Sequence, residues 1–221
     1  MKKIFIIILH SAHELPITQQ ESYIMLRNVI IEILQSSSIE VYKNTIHILC
    51  KDKETAALTD ILNIFSDTIS FKFLGTPHTD LDMMNHQLNA HVQRAAVSSD
   101  VEYLLVISGA LPIFSNQVFS DYIDWELDIN MGFSQTQNSS MILFKKKFTP
   151  FFFKLTDPCI KTGLRSLTLF KQYKREVNIL NEPYFFELDK NNSTVYSTIM
   201  ETLNRNKNIH QTELHRLLGN V

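Results

Sequence analysis

Glycine and cysteine are scarce in this chain of 221 residues, which has five glycines and two cysteines. Because the glycines form neither a GxGxxG nor a GxxxxGKS/T pattern, the common glycine-rich loops that hold phosphate groups are missing. The cysteines, Cys50 and Cys159, are too few for a disulfide scaffold or a four-cysteine zinc site. Packing of a hydrophobic core must therefore hold the fold together, and the length fits one domain.

An excess of charge is also missing, since 21 Lys and Arg stand against 23 Asp and Glu, for a formal net charge of -2. A generally basic nucleic-acid-binding protein is excluded by this balance, and we expect no nucleic-acid partner. Metal-ligand spacing is absent as well. The histidine pairs His86/His91 and His210/His215 lie five residues apart, whereas paired zinc ligands on one helix lie four apart. We therefore predict no metal ligands.

Long hydrophobic runs are the last missing feature. The apolar run that follows the two N-terminal lysines resembles the start of a signal peptide, but it stops at His10. We interpret it as a buried strand. No apolar run approaches the roughly 18 residues that a membrane-spanning helix needs. The expectation is a cytoplasmic protein without a membrane span.

Alternating strand and helix patterns are what the sequence does contain. Short apolar runs predict strands, and apolar residues at helical spacing predict the segments between them. The predicted strands are residues 3–9, 45–50, 69–74, 101–107, 125–131, 141–144 and 177–180. The predicted helices are residues 18–34, 55–65, 80–96, 112–123, 193–203 and 211–218. This order predicts a single-domain α/β fold, with a Rossmann-like, doubly wound and mostly parallel sheet.

Polar residues follow three of the predicted strands. His10, Ser11 and His13 follow the first strand. Lys51 and Asp52 follow the second, and Ser108 and Gly109 follow the fourth. Ligands of open α/β sheets bind outside the carboxyl ends of the strands. These seven residues are therefore our predicted binding shell for a nucleotide diphosphate, although solvated loops would have a similar composition.

Three carboxylates form a second candidate group. Apolar and polar residues alternate from Trp125 to Met131, which predicts a strand with Glu126 and Asp128 on one polar face. With Asp124, they are the candidate catalytic residues, because a carboxylate there could act as a general base for a sugar hydroxyl. An exposed strand face is the alternative. The run Lys145–Lys147 is either a solvated strand end or an anion contact.

Four short stretches carry a resemblance to a known family. They are residues 22–24, residues 103–106, residues 124–125 with 132–133 and 141–145, and residues 182–186 with 193–195. The sequence resembles GT-A-fold glycosyltransferases, and more narrowly the N-acetylglucosaminyltransferase IV family. The resemblance implies a nucleotide-sugar-binding domain over residues 1–205, with a C-terminal helical tail over 206–221. It also implies a UDP-N-acetylglucosamine donor, a glycan hydroxyl as acceptor, and Mn as a divalent cofactor.

One departure from that family bears on the mechanism. Its acidic metal-binding motif would fall on Ile107, Ser108 and Gly109, which supply no carboxylate. Since a hard divalent cation needs oxygen ligands, the metal site that the resemblance implies is not visible here. The hypothesis that follows is a transferase that works without a metal, or a relative that has lost the reaction.

Two other functions stay open at this point. Residues 104–109 and 124–126 resemble parts of TIR-like NAD hydrolases, in which Glu126 would be the catalytic residue on a helix. A non-catalytic Rossmann-like module that senses nucleotides would need only polar strand ends and no catalytic carboxylate. Each alternative predicts a different ligand, namely NAD or an oligonucleotide in place of a UDP-sugar.

Overall fold

Seven strands and six helices make up the part of the chain that the structure describes. The computed structural model describes residues 1–10, 18–76, 81–97, 100–135, 139–152, 172, 176–180, 183–186, 188–205 and 209–218. The strands are β1 (Lys2–Leu9), β2 (Ile39–Lys51), β3 (Ser70–Thr76), β4 (Tyr103–Ser108), β5 (Ile129–Phe133), β6 (Ser139–Lys145) and β7 (Val177–Leu180). The helices are α1 (Gln19–Gln35), α2 (Thr55–Leu62), α3 (Leu81–Val97), the one-turn α4 (Thr149–Phe152), α5 (Ser193–Arg205) and α6 (Ile209–Leu218).

All seven strands belong to one sheet in the order β3-β2-β1-β4-β6-β5-β7. Neighbouring strands are parallel from β3 through β4, and β5 is parallel to β7. Only β6 runs against its neighbours β4 and β5. The predicted single-domain, mostly parallel α/β fold is confirmed. Strands β1 to β4 all end at the same edge of the sheet, which we call the carboxyl edge; the opposite one is the amino edge.

Helices cover both faces of the sheet, as a doubly wound fold requires. On one face, alternate residues of β1 such as Ile4, Ile6 and Ile8 pack with apolar residues of α1 and α2 in one buried cluster. On the other face, Phe5 and Ile7 join a second cluster with α3. Because β1 is buried on both faces, its uninterrupted apolar sequence is what this position demands.

Helix α1 begins where the sequence predicts, because Thr18 caps it. The Thr18 hydroxyl accepts a hydrogen bond from the Glu21 N–H, and the Glu21 carboxylate accepts one from the Thr18 N–H, which is a capping box. The buried Glu21 carboxylate also pairs with Lys190 at 2.8 Å. Arg27 of α1 also pairs with Glu213 of α6. Ion pairs therefore join α1 to two points of the C-terminal region, Lys190 and Glu213.

The helix predicted over residues 112–123 is wrong in its first half. Residues 112–116 form turns and irregular backbone, and a single π-helical turn spans Val118–Tyr122. The apolar residues of this segment, such as Phe114 and Phe119, are buried as a helix would bury them. However, the Asn116 N–H donates to the buried Glu32 carboxylate of α1 at 2.9 Å, which holds the backbone in a non-helical path.

The strand predicted over residues 125–131 is shorter than expected, because residues 125–128 bend and β5 begins at Ile129. The Asp124 carboxylate accepts a hydrogen bond from the Glu126 N–H at 2.9 Å, as in an Asx turn. The Asn130 side chain holds the same turn from the other side: its Oδ1 accepts from the Asp124 N–H and its Nδ2 donates to the Asp124 carbonyl. These side-chain hydrogen bonds hold residues 125–128 in a turn in place of strand pairing.

Trp125 is the main apolar anchor of this turn. Its half-buried ring meets Tyr103 edge-to-face at 5.1 Å, and its indole N–H donates to the Phe119 carbonyl at 3.3 Å. We expect Trp125→Ala to lower the free energy of unfolding by about 2–3 kcal/mol, below the value for a fully buried aromatic ring. Trp125→Phe, which keeps a ring against Tyr103, should lose about 1 kcal/mol. Urea unfolding measures both, and equal losses would show that the ring contact contributes nothing.

No helix in the described residues is long and apolar enough to cross a membrane.

Candidate functional site

His10 lies at the carboxyl edge, immediately after β1, and is the most unusual residue there. Its side chain is only 2% exposed, yet neither imidazole nitrogen has a hydrogen-bond partner in the described part of the chain. The ring stacks on Tyr23 of α1 at 5.6 Å. Burial lowers the pKa of His10 to about 4, although the nearby Glu54 carboxylate acts in the opposite direction. At neutral pH the imidazole is therefore uncharged and presents one free donor and one free acceptor.

Buried polar atoms in folded proteins almost always have a partner. Two nitrogens of one buried side chain without a partner in the described residues, at the edge where ligands of this fold class bind, mark His10 as a candidate ligand-binding residue. No other predicted binding residue in the described chain has this property.

Lys51 and Asp52 lie beside His10 at the carboxyl edge, at the end of β2. A short 3-10 helix spans Asp52–Glu54, and the Lys51 N–H donates to the Glu54 carboxylate at 3.3 Å. The Asp52 carboxylate occupies the space above Gly75 in β3, where any Cβ atom at position 75 would overlap its Oδ1. Gly75 therefore makes room for this carboxylate, a role that the sequence did not reveal.

Ser108 and Gly109 also lie at the carboxyl edge, but packing explains both of them. Ser108 is fully buried, and its hydroxyl accepts a hydrogen bond from the Ala110 N–H at 3.2 Å. The Gly109 N–H donates to the Leu9 carbonyl at 2.8 Å, and a Cβ atom at position 109 would lie 2.9 Å from Leu26. These two residues bring β4 close to β1 and α1.

Of the predicted binding shell, the structure therefore brings His10, Lys51, Asp52, Ser108 and Gly109 to one edge of the sheet. Ser11 and His13 lie outside the described residues.

The candidate catalytic carboxylates lie at the opposite edge. Ile129 pairs with Phe144, which in turn pairs with Leu104 near the start of β4. Strand β5 thus runs in the same direction as β4, and the residues that precede it lie at the amino edge. Asp124, Glu126 and Asp128 are all in this segment. They therefore cannot act as general base on a ligand held at the carboxyl edge. The structure does not bring the three carboxylates and the predicted binding shell together in one site.

Each of the three carboxylates has a different environment at the amino edge. Asp124 caps the turn described above, and Glu126 is exposed in that turn. Asp128 pairs with Lys147 at 3.1 Å and with Lys145 at 3.5 Å. Two lysines of the predicted anion contact thereby share one carboxylate. The helix that a TIR-like site would need at Glu126 is a bend instead.

The described residues do not fit the divalent cation that the family resemblance implies. Among them, no three histidine, cysteine, aspartate or glutamate side chains come together as metal ligands. The residues in the place of the acidic motif, Ser108 and Gly109, are engaged in packing. We therefore derive no step through a metal.

Solved structures with the same fold include several nucleotidyltransferases. The 4-diphosphocytidyl-2C-methyl-D-erythritol synthase of Anaerococcus prevotii matches with a TM-score of 0.59 at 13% identity, over 92% of this chain and 99% of that one. The inositol-1-phosphate CTP transferase of T. maritima matches with a TM-score of 0.57 at 11% identity, over 91% and 96%. A cytidylyltransferase of Leptospira borgpetersenii matches with a TM-score of 0.54 at 10% identity, over 100% and 94%.

These matches show that this chain shares its α/β fold with these solved structures along nearly its whole length. The narrower resemblance to the N-acetylglucosaminyltransferase IV family finds no support among them. No protein-family model matches the sequence, and no curated protein matches it.

Proposed function

We propose that this chain binds a nucleotide or a nucleotide sugar at the carboxyl edge, where His10 contacts the ligand directly. The observation that carries the proposal is the pair of orphaned nitrogens on the buried His10 ring. Solved structures that share the fold support a nucleotide as the ligand class, since two of them are named as a cytidylyltransferase and an inositol-1-phosphate CTP transferase.

The roles of the neighbouring side chains follow from their chemistry. Lys51 supplies a cation at the end of β2, which suits a ligand phosphate. Asp52, fixed above Gly75, supplies a hydrogen-bond acceptor for a ribose or sugar hydroxyl. Tyr23 covers one face of His10 and limits its access to water. Together they offer a cationic, an anionic and a neutral hydrogen-bonding group at one edge.

For a transfer reaction, the candidate general base changes. We propose Asp52 or Glu54 for this role, because both lie at the carboxyl edge near His10. The donor proposed from the family resemblance, UDP-N-acetylglucosamine, and its transfer to a glycan hydroxyl are the finer part of the proposal. They belong in the same ligand screen as cytidine nucleotides.

A thermal-shift screen tests the proposal. CTP, UDP, UDP-N-acetylglucosamine and NAD are each added with and without Mg²⁺ or Mn²⁺. A ligand at about 100 times its Kd should add roughly 2.7 kcal/mol, which raises the Tm by a few degrees for a domain of this size. His10→Asn should abolish the Tm shift that the bound ligand causes in the wild-type protein. His86→Asn, which alters an exposed histidine of α3, should preserve that shift.

Asp52→Asn provides a second variant that leaves the buried ring intact, because Asp52 is exposed. Its ligand shift should be reduced, and Gly75→Ala should reproduce the reduction by displacing the same carboxylate. A shift that survives in all three carboxyl-edge variants would place the ligand elsewhere and overturn the proposal. A shift with NAD alone would move the assignment away from nucleotidyl or sugar transfer.

A further inference from the structure

A wide bulge interrupts β2 opposite Phe5 of β1. Ile4 pairs with Val41 and Ile6 with Ile46, so one residue of β1 faces four residues of β2. Within the bulge, Lys43 and Asn44 adopt left-handed backbone conformations with φ values of 53° and 49°. Two consecutive non-glycine residues in this region cost about 1–2 kcal/mol each, so the surrounding structure must hold them there.

A cavity of about 400 Å³ lies between this bulge and the C-terminal half of α3. Aromatic rings form part of its wall. The ring centroid of Phe5 lies 4.5 Å from that of His47 and 6.4 Å from that of Tyr42. The ring centroid of His91, in α3, lies 5.9 Å from that of His47. A cavity of this volume is large enough for a small organic ligand.

Three cations line the same cavity, namely Lys43, Lys72 and Arg94. No carboxylate appears among its described lining residues, and no ion pair joins these three cations to the described part of the chain. Lys145 and Lys147 differ from these three cations, because each of them pairs with Asp128. The three positive charges come from three different elements and line one concave surface, and Lys43 also lies over the Tyr42 ring at 5.2 Å. Several cations on one concave surface suit the binding of a phosphate group.

His47 provides a second, independent observation that points to a ligand in this cavity. Its side chain is 9% exposed, it lines the cavity, and its Nδ1 atom has no hydrogen-bond partner in the described residues. Burial, His91 and Lys72 lower the pKa of His47 to about 4, so the ring is neutral and can donate to an anion from one nitrogen.

We propose that this cavity binds a small phosphorylated molecule, with its phosphate group held by Lys43, Lys72 and Arg94 and its apolar body against Phe5 and Tyr42. The side chain of His47 supplies a hydrogen bond to the same ligand.

This site is separate from the nucleotide site at the carboxyl edge. Helix α3 starts near the carboxyl edge after β3, so its last turns, which carry His91 and Arg94, lie toward the amino edge. The cavity also lies on the α3 face of the sheet, together with Phe5, whereas α1 and Tyr23 are on the opposite face. A ligand in this cavity would therefore bind independently of a ligand that contacts His10.

The test uses the full chain with inorganic phosphate and phenyl phosphate as probes, and sodium chloride at equal ionic strength as the reference. The histidine ring signals in ¹H–¹⁵N spectra report the site. Both probes should shift the His47 signals in a saturable way, and phenyl phosphate should bind several-fold more tightly because its ring meets the aromatic wall. The His10 signals should stay unchanged.

Lys72→Met and Arg94→Gln remove exposed cations and should leave the fold intact. Each should raise the Kd for phenyl phosphate about tenfold, as expected for the loss of one charge-assisted hydrogen bond. Arg216→Gln, which removes an exposed arginine from the last turn of α6, is the matched control and should leave the Kd unchanged.

Shifts of the His47 signals no larger than those in sodium chloride would overturn the proposal. So would a Kd that rises equally in all three variants, because an equal rise would report the loss of net positive charge rather than of a contact in this cavity. Loss of nucleotide binding in His10→Asn with retained phenyl phosphate binding would confirm that the two sites are separate, and loss of both ligands in that variant would contradict it.

Discussion

The free energy of unfolding should fall steeply as the pH drops from about 6.5 to about 4. His10 and His47 are buried and neutral in the folded state, with pKa values of about 4, against an ordinary value of 6.5. Between these values the unfolded chain binds more protons than the folded chain, so acid favours unfolding. Each histidine contributes up to about 3 kcal/mol to this loss. His91, whose pKa is lowered by burial and by the cations Arg94 and Lys72, acts in the same direction.

Urea unfolding at a series of pH values measures this effect. His10→Gln and His47→Gln should each flatten the pH dependence between about pH 6.5 and pH 4, by up to about 3 kcal/mol. His86→Gln, at an exposed position, should not. Glu21 acts at lower pH: bonds from Lys190 and Thr18 outweigh its burial and lower its pKa, so its contribution is lost only below its ordinary value of 4.5. An unchanged slope in both histidine variants would mean that neither ring is buried as described.

Gly132→Ala should destabilise the protein by about 1–3 kcal/mol, because it overfills a packed core. A Cβ atom at position 132 would lie 2.6 Å from the ring of Phe185, which is fully buried against Phe114. Phe185→Ala removes the ring and should cost about 3–5 kcal/mol. The double variant should cost less than the sum of the two, by about 1 kcal/mol or more, since the new methyl group enters space that the ring has left.

A double-mutant cycle in urea unfolding measures this coupling. Leu203→Ala supplies the control, because Leu203 is buried in a separate cluster with α1 and α6 and should combine additively with Gly132→Ala. Additive losses for Gly132→Ala and Phe185→Ala would contradict the close approach of β5 to the segment Pro183–Phe185.

The sequence was sufficient to predict the order and type of the elements in the parallel half of the fold, although β2 begins at Ile39 rather than at residue 45. Strand β1 is apolar throughout because both of its faces are buried, and α1 carries a capping residue, Thr18, directly before its apolar stripe. Prediction failed at residues 112–116, where apolar spacing suggested a helix. The deciding contact there is the bond from Asn116 to Glu32, which are far apart in the chain, and local periodicity contains no information about such a pair.

The candidate site was predicted in part for a related reason. Residues that follow parallel strands meet at one edge, so His10, Lys51, Asp52, Ser108 and Gly109 could be grouped from the order of the elements. The carboxylates at 124–128 precede a strand instead of following one, and their edge depends on the direction of β5. That direction follows from the reversal of β6, which the sequence pattern did not show.

Strand order also has a consequence for the growing chain on the ribosome. Residues up to Ser108 contain β1 to β4 and can pair as soon as they emerge. Every residue of β4 is buried in the folded protein. The edge of β4 that faces away from β1 is paired only when β6 is complete at Lys145. Until then an apolar strand edge is open to neighbouring chains, so we expect a nascent chain that stalls between these points to be prone to aggregation.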